Sequence, residues 1–307
     1  MKTIAIIGDS HTWGQGTAGP VDYLNRTTQT VQCGELRLMP FCFGSFVNRL
    51  RDDFLRQGKS DIWEEQGRCS LPTEVIARGG LLRLQLAAQG QPGRVTVRQD
   101  GASVWQEELP VEGVPMPVST VTLHTQPGQR IQLEGQGFLL RTEHYDGEIA
   151  VVNCGIGSCP TKRFLSDFWP RYVNPLKAEI MLIEPCTIND WLSGITPEQY
   201  QEDTQKLFRQ ARAEGAQPIM LSVSPIGGDQ QLEQCAAPYE DYIVRAYQAA
   251  QAEQVPVADA HAAMAAALQG LTEEQKNSKL FDDPWHPNDF GHEMYARIAM
   301  EEIEKYL

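Results

Sequence analysis

The chain has 307 residues, 41% apolar and 21% charged, an ordinary globular composition long enough for two modest domains or one large domain with an insertion. Its net charge of −14 argues against nucleic acid or an anionic membrane as the main partner. No stretch approaches the roughly 20 apolar residues of a membrane-spanning helix. The start, with one lysine and a short apolar run, is too brief for a signal-peptide core, so a cytoplasmic location is expected. Seven cysteines (Cys33, Cys42, Cys69, Cys154, Cys159, Cys186 and Cys235) form no C-x-x-C pair, and their number is odd. Free buried thiols are therefore expected rather than disulfides or a metal site.

Residues 3–7 are a continuous apolar run, the pattern of a strand buried on both faces of a parallel sheet. Gly8-Asp9-Ser10-His11 follows at once. A serine after a strand can project into a cleft, but its hydroxyl is a poor nucleophile unless a base removes its proton. Alone, the fragment reads as a turn. His11 beside it either touches substrate or satisfies that turn. Gly14-Gln15-Gly16-Thr17-Ala18-Gly19 matches the dinucleotide fingerprint, yet its first glycine lies six residues beyond Gly8 and Pro20 follows instead of a helix. That placement predicts a flexible loop beside the site, not a cofactor cradle. Residues 44–57 predict a helix, with Phe46, Val47, Leu50, Phe54 and Leu55 on one side.

Over 73–147 the period becomes two: Leu82, Leu84, Leu86; Val95, Val97; Val121, Leu123; Ile131, Leu133. Turn signals at Pro92-Gly93, Asp100-Gly101, Pro127-Gly128 and Gly135 to Gly137 punctuate it, predicting an inserted, β-rich, small sandwich-like module. The flanking 1–72 and 148–307 then read as one α/β domain. Segments 149–152, 180–183, 219–223 and 255–258 read as further strands, separated by helices. The best marked helix begins at Thr196, with Pro197 first, Gln199 completing a capping box and Gly215 ending it. Tyr200, Leu207, Phe208 and Ala211 form its buried stripe. Such alternation implies a mainly parallel sheet covered on both faces, with ligands at the carboxyl ends of its strands.

Three polar segments follow predicted strands. Besides Asp9-Ser10, these are Asn153-Cys154-Gly155-Ile156-Gly157-Ser158, whose glycines let a backbone N–H approach a ligand, and Thr187-Ile188-Asn189-Asp190. The Asn189 carboxamide can donate to a developing oxyanion. Each alone is also an ordinary turn. Near the end of the chain, Asp283-Pro284-Trp285-His286 offers a carboxylate and an imidazole three residues apart. Asp283 can fix the tautomer while the other nitrogen faces Ser10, with Asp282 as rival carboxylate. Pro287 favours an extended backbone at His286, and Asn288 can cap the last helix.

A zinc site from Asp9, His11 and His286 is conceivable, but serine chemistry already uses these positions. His124, His144 and His261 show no metal spacing, and His292 is expected to be structural. No G-x-S-x-G elbow is present, which disfavours the α/β-hydrolase route. Trp13, Trp191 and Trp285, each within three residues of a candidate, wall a substrate pocket or pack locally.

Together these segments resemble the SGNH hydrolases, the GDSL esterase and lipase superfamily. Gly8 to Ser10 matches its first block, Thr187 to Asp190 its third and Asp283 to His286 its fifth, over roughly 1–72 and 148–307. The resemblance implies a flavodoxin-like three-layer α/β/α fold and ester hydrolysis through an acyl-enzyme. Ser10 would attack, His286 would act as base then acid, and Asp283 would orient it. The oxyanion hole would combine the N–H of Ser10, a second-block N–H and the Asn189 side chain. Two departures stand out. Thr187 replaces the third-block glycine, so its backbone must avoid left-handed geometry. The family's second-block glycine lies where this chain has Ser158, which leaves Gly157 as the assigned donor and Gly155 and Ser158 as rivals.

The favoured function is a carboxylic-ester hydrolase removing short acyl groups such as acetyl from a carbohydrate or related small substrate, without cofactor or metal. A lysophospholipase, thioesterase or acyltransferase of the same superfamily stands as alternative, as does a glycan-binding protein acting through the β-rich module. A small-molecule ester is the expected partner, with a homo-oligomer left open and neither nucleic acid nor membrane involved. kcat/KM is expected to rise as an imidazole loses its proton, near about 6.5–7.

Overall fold

The computed structural model describes residues 1–14, 17, 31–33, 36–38, 44–88, 93–109, 118–227 and 234–307. Most of the G-x-G-x-x-G stretch lies outside these. The chain divides into an α/β unit (3–21, 41–52 and 151–307) and a β unit (1–2, 22–40 and 53–150).

The α/β unit is built on β1 (Lys2–Gly8), β2 (Ile149–Gly155), β3 (Ile180–Ile183), β4 (Gln217–Leu221) and β5 (Val257–Ala258), ordered β2-β1-β3-β4-β5. The pairs β1–β3, β3–β4 and β4–β5 are parallel, with Ile4 beside Ile180 and Ile7 beside Ile183. Successive side chains of a strand point to opposite faces. Ile4, Ala5, Ile6 and Ile7 are nonetheless all fully buried, as are Met181, Leu182 and Ile183, so both faces of the sheet are covered. A 2-1-3-4-5 order is flavodoxin-like, and its crevice for ligands opens between β1 and β3, where the order reverses.

The helices used below are α1 (Ser10–Trp13), α2 (Phe46–Arg56), α3 (Thr187–Leu192), α4 (Pro197–Ala213), α5 (Tyr239–Ala252), α6 (Ala260–Leu268), α7 (Glu273–Leu280) and α8 (Asp289–Ile303). On α2, Phe46, Val47, Leu50 and Phe54 are buried as the pattern predicts, whereas Leu55 is only half-buried. At α4 the Thr196 hydroxyl accepts the Gln199 N–H at 3.3 Å, but the Gln199 side chain reaches Asp203 instead of closing the box. The reciprocal box forms on α7, between Thr272 and Gln275.

The β unit holds two four-stranded antiparallel sheets. One runs in the order 73–76, 130–135, 93–99, 102–109, and the other 60–70, 138–147, 80–87, 118–125. Leu82, Leu84 and Leu86 of the second sheet share one core with Val95, Val97, Ile131 and Leu133 of the first, as facing sheets do. Its extent differs from the expected 73–147. The polar stretch 60–70 pairs along the strand 138–147, so this unit takes in residues from 53 onward. That stretch lacks apolar alternation, and its register comes from a partner strand remote in sequence.

Cys69, Cys154, Cys159, Cys186 and Cys235 are free, and all but Cys69 are buried. Cys33 and Cys42 have no described side chain. Among the described residues no helix is long and apolar enough to cross a membrane.

Candidate active site

β1 delivers the first segment. Gly8 ends the strand where a Cβ would sit 2.2 Å from Thr12 Oγ1, so only glycine fits beneath the turn that follows. Asp9 caps α1, its Oδ1 accepting the His11 N–H at 3.1 Å, and Gly14 closes the turn in left-handed geometry. Ser10 thus opens a one-turn helix at the carboxyl edge of the sheet and is only 4% exposed.

Ser10 Oγ lies 3.0 Å from His286 Nε2. His286 Nδ1 donates to Asp283 Oδ2 at 2.7 Å, and Asp283 Oδ1 accepts the N–H groups of Trp285 (2.8 Å) and His286 (2.9 Å). The Asp282 N–H donates to the His286 carbonyl at 2.9 Å, closing the loop, while the Asp282 side chain is exposed. The carboxylate on Nδ1 is therefore Asp283 and not its rival. Asn288 caps α8 by accepting from Phe290 and Gly291.

The charges fit proton transfer. Burial works to raise the Asp283 pKa, but hydrogen bonds from His286 and Trp285 outweigh it and hold the carboxyl below its ordinary range. Burial pushes His286 down, and a nearby positive His11 pushes the same way against the pull of Asp283. The imidazole is neutral at pH 7, with Nδ1 protonated and Nε2 open toward the Ser10 hydroxyl. This array can take a proton from Ser10 and return it to a leaving group.

Asn189 stands on α3, after β3, and its Nδ2 donates to Asp9 Oδ2 at 2.8 Å. Thr187 opens α3 outside the left-handed region, as its side chain demands. Its hydroxyl meets the Pro185 carbonyl at 3.1 Å and the Tyr200 hydroxyl at 2.7 Å.

At the end of β2, Asn153 Nδ2 donates to the Thr12 carbonyl at 3.0 Å, and its Oδ1 accepts the Gly155 N–H at 2.8 Å. That occupied N–H removes Gly155 as an oxyanion donor. Gly155 instead supports the helix that carries Ser10. A Cβ there would lie 2.4 Å from the Trp13 nitrogen, so α1 rests directly on its backbone. Gly157 and Ser158 stay in contention. Ser158 has φ of +55°, the left-handed conformation usually taken by glycine, at the position matching the family's second-block glycine.

At His11 and Trp191, each read from sequence as either a substrate contact or a locally packed side chain, the structure shows local packing. His11 is fully buried, with Nδ1 3.0 Å from Glu184 Oε1 and Nε2 2.7 Å from the Trp285 carbonyl, so its ring has no edge for substrate. Trp191 is 1% exposed; its Nε1 donates to the Ala237 carbonyl and its ring packs on Trp285 and Tyr239. Trp13 and Trp285 remain half-buried and keep surface to offer. His292 is structural, accepting the Phe46 N–H on Nδ1 at 3.2 Å. A cavity of about 790 Å³ is lined by Trp191, Pro225, Ile226, Tyr239, His261 and Lys276 among others; Ser10, Asp283 and His286 are not among its walls.

Sequence reasoning missed Glu184. It is fully buried where β3 ends, with Oε2 accepting from the Thr12 hydroxyl at 2.7 Å and Oε1 from the Tyr295 hydroxyl at 3.3 Å. The one available signal was a charged residue placed directly after the apolar run 180–183. Asp9, His11 and Glu184 bring ligand-type atoms within 4.8 Å of one another, but those atoms bond to each other and to their neighbours. Burial disfavours charge on His11, yet Glu184 overcomes this with help from Asp9 and raises its pKa to about 9. Burial also raises Asp9, to about 6, against the pull of His11.

A sequence model of the GDSL-like lipase/acylhydrolase family matches residues 134–294, a span holding Asn153, Asn189, Asp283 and His286 but not Ser10. No curated protein matches. Among solved structures, a peptidoglycan O-acetylesterase is similar over 100% of this chain and 91% of its own, at 15% identity and a TM-score of 0.56. A lipase/acylhydrolase from Enterococcus faecalis is similar over 100% and 97%, at 15% identity and a TM-score of 0.51. The acetyl xylan esterase AlAXEase is similar over 98% and 99%, at 11% identity and a TM-score of 0.53. At such identities the likeness is one of fold.

Proposed function

The chain belongs to the GDSL-like lipase/acylhydrolase family, and from that premise we propose that it hydrolyses carboxylic esters through an acyl-enzyme on Ser10. The observation that carries this reading is the run Ser10 Oγ, His286 Nε2, His286 Nδ1, Asp283 Oδ2, with gaps of 3.0 and 2.7 Å. Ser10 Oγ attacks the ester carbonyl as its proton passes to His286 Nε2. The oxyanion that forms takes hydrogen bonds from the Ser10 N–H, from the N–H of Gly157 or Ser158, and from Asn189 Nδ2. Collapse expels the alcohol, protonated by His286, and water then repeats the sequence on the acyl-enzyme.

The substrate class is a short acyl ester, acetyl above all, on a carbohydrate or similar small alcohol. Two neighbours in fold carry names of sugar-polymer acetylesterases, and no long apolar run in the sequence suggests a tunnel for a fatty chain. Trp13 and Trp285 offer half-buried aromatic surface beside the triad, suited to sugar stacking.

Turnover of p-nitrophenyl esters of increasing chain length tests both parts. Wild type should prefer acetate, and Ser10→Ala should lower kcat/KM by about a thousandfold or more while the protein stays folded. Full activity in that variant would remove the nucleophile. A maximum at octanoyl or longer chains would keep the esterase and overturn the acetyl reading.

A further inference from the structure

His11 and Glu184 form a buried ion pair that the mechanism above does not use. Each nitrogen of His11 meets only an acceptor. Nε2 faces the Trp285 carbonyl at 2.7 Å, so it carries a proton. Nδ1 faces Glu184 Oε1 at 3.0 Å. The Glu184 carboxyl already accepts from the Thr12 and Tyr295 hydroxyls, and its charge raises the His11 pKa to about 9. The second proton therefore belongs on His11 Nδ1, and the ring is an imidazolium. It stands edge-on to His286, with ring centroids 5.6 Å apart and planes at 84°.

We propose that His11 is a positioning residue for His286: a fixed cation that fastens the Trp285 carbonyl, and with it the loop of Asp283 and His286, to the ends of β1 and β3, and that sets a positive charge against the base. The proposal rests on the reading of His286 as base. The groups facing His11 are Asp9 from the end of β1, Glu184 from the end of β3, Tyr295 from α8, and His286. Burial keeps the Tyr295 phenol neutral by pushing its pKa well above 10. Facing His286 are His11, Asp283 and Asp282. Of these only His11 is positive, so it opposes a second positive charge on His286.

At 5.6 Å, a unit charge shifts a neighbour's pKa by about 0.5 with the screening of water and by about 2 at the effective dielectric usual in proteins. Removing the charge should raise the acid limb of kcat/KM by an amount in that range. His11→Gln keeps a donor for the Trp285 carbonyl and discards the charge; His11→Leu discards both. Both variants should move the limb upward, and the leucine variant should also lose about tenfold or more in kcat, with KM nearly unchanged, as its loop loosens.

The pH profile of p-nitrophenyl acetate hydrolysis by both variants and by Glu184→Gln, with histidine Cε1–H NMR titration of the wild type, decides the matter. The expected results are a His11 ring still protonated past pH 8 and a raised acid limb in each variant that folds by circular dichroism. Either a His11 ring that titrates near 6.5 or limbs that coincide with the wild type would overturn the proposal. The titration needs no turnover, so its failure is distinct from an active Ser10→Ala enzyme, which would remove the nucleophile instead.

Discussion

Asn189 Nδ2 donates to Asp9 Oδ2 at 2.8 Å across 180 residues of chain. The residue before Ser10 thus aims the carboxamide proposed to meet the oxyanion. Asn189→Ala should lower kcat by about 10²–10³ with little change in KM, the signature of a donor that acts in the transition state. Asp9→Ala should reproduce part of that loss. It should also cost about 1 kcal/mol of stability, because Asp9 caps α1 as well. Steady-state kinetics of both variants, with urea unfolding of the second, test this. Wild-type kcat in Asn189→Ala would take the carboxamide out of the oxyanion site.

The two adjacent aspartates should behave very differently. Asp283 holds His286 Nδ1, whereas the Asp282 side chain is exposed and contributes through its backbone N–H. Asp283→Asn should lower kcat by about 10⁴, since the amide favours the wrong tautomer of the ring. Asp282→Asn should stay within about threefold of wild type, because long-range pull from an exposed charge is screened. Equal losses in both variants would mean that both carboxylates orient the ring.

The sign of the pH dependence follows from the lowered pKa of His286. A base must be neutral to accept a proton, so activity is present above that pKa and is lost as pH falls through it. Burial and the charge on His11 put the midpoint below the ordinary imidazole value of 6.5, lower than the 6.5–7 expected of an imidazole without those neighbours. Asp283 is held below its own ordinary range and stays ionised across the limb. A kcat/KM profile from pH 4 to 9 with a midpoint at or above 7 would contradict this arrangement.

Close packing beneath α1 predicts a stability effect. A methyl at Gly155 would meet the backbone of Thr12 and Trp13 at 2.7 and 2.4 Å, atoms that cannot swing aside. Gly155→Ala should destabilise by about 1–3 kcal/mol or more and lower activity as well, because α1 carries Ser10. Thermal unfolding reads the first effect and turnover the second. An unchanged melting temperature would show that α1 can shift without cost.

The left-handed backbone at Ser158 gives the opposite sign. A non-glycine residue there carries about 1 kcal/mol of strain, which Ser158→Gly relieves at the cost of a freer unfolded chain. Stability should stay level or rise slightly with turnover retained, whereas Ser158→Val should lose both. A Ser158→Val enzyme as stable and active as wild type would mean that this turn does not depend on left-handed geometry.

Features that depend on neighbours along the chain were legible in the residues themselves. The unbroken apolar run of β1, the two-residue period of the β unit and the caps at Thr196 and Asn288 are local patterns of burial and hydrogen bonding. So is the loop that joins Asp283 to His286 across three residues. Which polar groups meet became visible with the folded chain. Folding made His11 the partner of Glu184, occupied the Gly155 N–H with Asn153, buried Trp191, and paired the polar stretch 60–70 with a remote strand. The reason is physical. Periodicity reports which face of an element is dry, whereas the partner and charge of a buried polar side chain are set by groups brought from distant parts of the chain. Glu184, 173 residues from His11, announced itself only as a carboxylate at the end of an apolar strand.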